Sequence, residues 1–173
     1  MAQSDEKNIN SIDLMIEQFN KILDRIIKSI TNGSLTPENF DKLSTKIYEL
    51  IGFIKKVIFP LLSSFNANNS AFDENATSAI DEIKKMLYQM FDNVEKTIKD
   101  TQSNLTKDGK IDVDSLKKYL EFIGVLMNNL FYIVVSTISY ATGNMSEEEY
   151  DEAYREFKYK LEENKKVFHE KFV

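Results

Sequence analysis

Oxygen-bearing side chains gather between Asn104 and Ser115, and their spacing resembles an EF-hand-like calcium loop. Such a loop takes oxygen ligands at its positions 1, 3, 5, 9 and 12, with glycine at 6 for the sharp turn and an apolar residue at 8. Asn104, Thr106, Asp108, Gly109, Ile111 and Asp112 fit that order. Position 12 is Ser115, whose hydroxyl cannot supply the bidentate carboxylate, and no second loop accompanies this one. The expectation is therefore a tight turn at Lys107-Asp108-Gly109-Lys110, followed by Asp112 or Asp114 as a helix cap, and no bound metal.

Other chemistry is sparse. His169 is the single histidine and cysteine is absent, which leaves no zinc ligand set and no thiol or Ser-His-Asp nucleophile arguable from spacing. Lys166 occupies the place three before His169 where a di-iron bundle carries glutamate. The glycines are scattered at Gly33, Gly52, Gly109, Gly124 and Gly143, so no phosphate-cradling loop is present. No enzymatic role and no cofactor are expected.

The elements that must position any site are few and long. In 173 residues there are 5 Gly and 2 Pro, with 42% hydrophobic and 29% charged residues, which suits one helical domain over 1–173 and disfavours a many-turned β fold. A net charge of -6 argues against nucleic-acid binding, which requires lysine and arginine to neutralise phosphates. The start Met1-Ala2-Gln3-Ser4-Asp5 lacks a basic segment followed by an apolar one, so a cytoplasmic setting is expected, with a viral particle as an alternative.

Apolar residues recur at steps of three and four through five segments. The first carries Ile12, Ile16, Phe19, Leu23, Ile26 and Ile30. The second opens on Thr36-Pro37-Glu38, a hydroxyl cap before proline, and its seam runs Phe40, Leu43, Ile47, Leu50, Ile54, Val57 and Leu61. Pro60 falls inside that seam and predicts a kink. Asp73 is the expected cap of the third segment, which should fade near Thr101-Gln102-Ser103. The fifth opens with the capping box Ser146-Glu147-Glu148-Glu149. Gly52 and Gly124 lie inside helical segments, where close helix crossings are expected. The predicted architecture is an all-α, up-and-down bundle of about five long antiparallel helices, with the fourth (about 113–142) most buried.

That fourth segment has no charged residue from Phe122 to Gly143. Its length suffices to cross a bilayer, with Phe122, Leu126, Leu130, Phe131, Val134 and Ile138 as the lipid-facing candidates. Asn128, Asn129, Ser136, Thr137 and Ser139 weigh against insertion and favour the core of a bundle, in which the two asparagines either sit at the edge of the core or pair across helices and fix register. The fifth segment offers Tyr150, Tyr154, Phe157, Phe168 and Phe172 as interaction candidates. Together these features lead to the expectation of a non-enzymatic interaction protein, a scaffold or structural subunit that binds a protein partner or itself. A membrane-active bundle and a carrier of an apolar ligand are the alternatives.

Overall fold

A computed structural model describes the backbone of residues 2–31, 35–68, 73–108 and 113–173, and the side chains of 11–31, 35–64, 73–103 and 113–173. Among them are helices α1 (Ala2–Thr31), α2 (Pro37–Phe53), α3 (Phe59–Asn68), α4 (Glu74–Asp108), α5 (Asp114–Ala141) and α6 (Glu147–Lys171). A π-helical turn at Ile54–Ile58 joins α2 to α3, so that the six helices make five rods.

The local signals place the helix ends. Thr36 Oγ1 accepts the Asn39 N–H at 3.2 Å, ahead of Pro37 at the first helical position. Asp73 Oδ1 accepts the Ala76 N–H at 2.8 Å. At α6 the capping box closes in both directions: the Glu149 N–H donates to Ser146 Oγ at 3.1 Å, and the Ser146 N–H to Glu149 Oε1 at 3.3 Å. Gly143 adopts a φ of +79° just past α5, a conformation glycine takes without steric cost. At the head of α5 the expected aspartate cap is not used. Val113 is the cap residue, without a side-chain bond, and Asp114 is the first helical residue.

Helix α4 is longer than its sequence implies. It runs to Asp108 instead of fading at Thr101–Ser103, and the Thr101 hydroxyl donates to the Thr97 carbonyl at 2.7 Å, which keeps that side chain within the helix. Asn104, Thr106 and Asp108 therefore lie in helical backbone, which cannot wrap a cation as the first half of a calcium loop must. Asp112 lies outside the described residues.

The rods form a helical bundle around one core. Each rod packs on the next in sequence, and α5 additionally packs on α1, so α5 touches α1, α4 and α6. Its residues from Leu116 to Ile138 supply the longest buried stretch, as expected of a helix apolar on most sides.

Two irregularities correct the sequence reading. Phe40, Leu43, Ile47, Leu50 and Ile54 are buried as their period implies, but Val57 is 48% exposed and Leu61 half-buried, while Ile58, Phe59 and Leu62 occupy the core. The cause is the π turn. The Phe59 N–H reaches back five residues to the Ile54 carbonyl, and the widened turn swings Val57 outward. Pro60, which has no N–H, follows directly, and the helix continues past it to Asn68. The second irregularity concerns glycine. A Cβ on Gly124 would lie 2.6 Å from Leu23 Cδ2, the expected close crossing, whereas a Cβ on Gly52 would meet nothing within 4 Å.

Candidate interaction surfaces

The residues that could enter a bilayer are all interior. Phe122, Leu126, Leu130, Phe131, Val134 and Ile138 are buried in the core. Helix α5 nonetheless contains an 18-residue window of mean hydropathy 1.7, of which 72% is buried.

The five aromatic candidates on and just after α6 face the same core, whereas Tyr159 of α6 is 67% exposed. Phe157 is fully buried, and Tyr150, Tyr154, Phe168 and Phe172 are partly buried against the core. Tyr150 stacks on Tyr140 with ring centroids 4.8 Å apart, and its hydroxyl shares a 3.1 Å hydrogen bond with Thr137 Oγ1. Burial, with Asp73 nearby, pushes the Tyr150 and Tyr154 phenols above their ordinary pKa. Phe172 folds back onto Phe122 at 4.9 Å and Tyr119 at 5.6 Å, clamping the end of the bundle.

One side of α5 remains open. Lys118, Glu121, Val125 and Asn128 are exposed and Tyr132 is half-buried, at steps of three and four that trace a single stripe between α1 and α6. The stripe is the floor of two clefts that meet at Val125. One, of about 650 Å³, is bounded by Leu23 and Ile27 of α1 and by Lys160 and Asn164 of α6. The other, of about 670 Å³, continues past Phe122 to Val167 and Phe172.

Paired amides hold the walls in register. Asn20 and Asn128 donate to each other, Nδ2 to Oδ1, at 3.2 and 3.1 Å. Each amide also donates to its own helix: Asn20 to the Ile16 carbonyl and Asn128 to that of Gly124. Asn129 Nδ2 donates to Asn164 Oδ1 at 3.1 Å, while Asn129 Oδ1 is buried without a hydrogen-bond partner among the described residues. Adjacent asparagines thus read two of the three neighbours of α5, the first fixing α1 and the second α6. Of the two expectations for Asn128 and Asn129, an edge position or a pairing across helices, both asparagines pair and the exposed Asn128 also lies at the edge. Their partners Asn20 and Asn164 were not legible, because helical spacing does not say which polar residue of another helix lies opposite.

The rim satisfies itself. The Tyr132 hydroxyl donates to Glu156 Oε2 at 3.0 Å, and Lys160 Nζ pairs with Glu156 at 3.2 Å while lying over the Tyr132 ring. Burial and the Glu156 carboxylate raise the Tyr132 phenol, and the Tyr132 and Lys160 bonds hold the Glu156 carboxyl below its usual range. Among the described residues, no group of three His, Cys, Asp or Glu side chains could hold a metal ion. The floor presents the Val125 methyl groups, the Tyr132 ring and the Asn128 amide, with the charged Lys118 and Glu121 at one end.

No family model, curated protein or solved structure matches this chain.

Proposed function

We propose that this protein is a non-enzymatic helical-bundle interaction protein, a scaffold or structural subunit that receives an amphipathic helix of a partner protein along the open side of α5. The carrying observation is Val125. It is 52% exposed at the junction of two clefts, in the middle of the most buried helix of the bundle. From Lys118 to Tyr132 the stripe spans 14 helical steps, about 21 Å at 1.5 Å per residue. That length and the two helical walls suit a helix laid in a groove. A photo-crosslinking residue at Val125, with Lys99 as the control position, tests the reading in the native host. One discrete protein adduct at Val125 and none at Lys99 supports it, and equal or absent crosslinking at both positions refutes it.

A membrane role is a second reading, favoured by the hydropathy of α5. It requires the bundle to open and release that helix. Liposome flotation and dye release at neutral and acidic pH test it, with Val125→Lys adding a charge to α5 at an exposed position that spares the core. Absence of flotation under every condition, or flotation indifferent to the added lysine, removes this reading.

A further inference from the structure

Glycine inside a helix costs about 1 kcal/mol relative to alanine, so each such residue calls for a reason. Gly124 has one within the chain, since Leu23 already occupies the space of its Cβ. Gly52 has none among the described residues, none of which comes within 4 Å of where its Cβ would lie. Apolar side chains are open to solvent around it: Tyr48 is 38% exposed, Val57 is turned outward by the π turn, and Phe53 is half-buried. With Thr45, Glu49, Gly52 and Lys56 these residues line one shallow depression of about 550 Å³. Glu49 and Lys56 are both exposed and belong to none of the ion pairs of the described residues.

The order of these residues is self-complementary. About the midpoint between Gly52 and Phe53, Tyr48 mirrors Val57 and Glu49 mirrors Lys56. In a two-fold contact, residue i of one copy meets j of the other and j meets i. Two such helices crossing antiparallel at Gly52 would place Glu49 against Lys56 twice, Tyr48 against Val57 twice, and Phe53 against the bare Gly52 backbone. A parallel pairing would instead oppose Glu49 to Glu49. We propose that this face of α2 and the π turn is a two-fold, antiparallel docking surface for a second copy of the chain. The proposal rests on the assembly reading and names one partner for it, on a surface separate from the α5 groove.

Light scattering and sedimentation equilibrium on the full chain test it. The expected result is a dimer that dissociates on dilution and weakens with added salt. Glu49→Lys and Lys56→Glu each place like charges at both ends of the contact and are expected to raise the dimer Kd about tenfold. An equimolar mixture of the two variants restores opposite charges at both ends and is expected to re-form a dimer, as is the doubly exchanged chain. Circular dichroism checks that these exposed substitutions keep the fold. A wild-type chain that stays monomeric at every concentration overturns the proposal, as does a dimer indifferent to the single exchanges or one that the mixture fails to restore. None of these results bears on crosslinking at Val125, so the two readings fail separately.

Discussion

Asn129 and Asn164, both buried, join α5 to α6 through one hydrogen bond at the base of the cleft beside Val125. Removing the partner of a buried donor costs more than the bond itself contributes, because the stranded group keeps its desolvation penalty. Asn164→Ala leaves both polar atoms of the Asn129 amide unpaired and is expected to lower stability by about 1–3 kcal/mol. Replacing both with leucine, of similar shape, removes the stranded groups and should recover most of the loss in urea denaturation. Failure of the double variant to recover would mean that the amide pair contributes more than it costs. Gly124 makes a second residue-scale case. Alanine there gains about 1 kcal/mol of helix propensity but drives its methyl into Leu23 Cδ2. Leu23 borders a cleft into which it can turn, so the expected net effect is close to zero. In a Leu23→Ala background the obstruction is gone, and Gly124→Ala should yield its full gain. A double-mutant cycle measures that coupling, and its absence would place the obstruction elsewhere.

The helix starts were legible wherever a cap is encoded within a few residues: Thr36-Pro37, Asp73 and the Ser146–Glu149 box all act as their sequence implies. The π turn was not. Val57 and Ile58 stand three and four residues after Ile54, so either fits a helical seam, and packing chose Ile58. Nor does the sequence say that no described residue packs on Gly52, since a glycine at a crossing and one facing solvent look alike. The π turn behaves as one extra residue in an α-helical rod, and that view is testable by deletion. Removing Lys56, whose side chain is exposed, should let Ile54–Ile58 close into an ordinary α turn with the helices on either side still in register. The expected outcome is a folded protein within about 1–2 kcal/mol of the parent, by thermal unfolding and circular dichroism. Removing Lys85 from the middle of α4 has no such slack: it rotates everything beyond by one residue, about 100°, and turns the buried face out. If both deletions unfold the chain equally, the turn is fixed by its surroundings and not by its extra residue.

At the scale of the whole molecule, the uncharged run from Phe122 to Gly143 identified the central helix, but not the side on which it stays open. That side depends on where α1 and α6 settle, and Val125 reads as core in a sequence where nearly all its neighbours are core. The same packing sets how the bundle answers pH. Tyr48, Tyr132, Tyr150 and Tyr154 lie on different parts of the bundle, and burial is the main cause raising each phenol pKa, assisted by Glu95, Glu156 or Asp73. The folded state thus holds these protons more tightly than the unfolded chain, in which tyrosine titrates near 10. Their contribution to stability is complete below about pH 10 and is lost as pH rises through the raised folded values. Lys165, raised chiefly by its bond to Glu82, acts in the same direction above its own unfolded value. Glu156 is lowered, so its contribution is present above the unfolded carboxylate range and lost as pH falls through the depressed value. The single histidine, His169, is exposed near the end of α6. The expected profile is a urea midpoint that falls as pH rises above about 10. Tyr150→Phe removes one of the raised phenols and should flatten part of the alkaline fall, at the expense of the Thr137 hydrogen bond at every pH. A midpoint at pH 11 equal to that at pH 8 would mean that these phenols ionise as freely in the folded bundle as in the open chain, contrary to the raised direction of each.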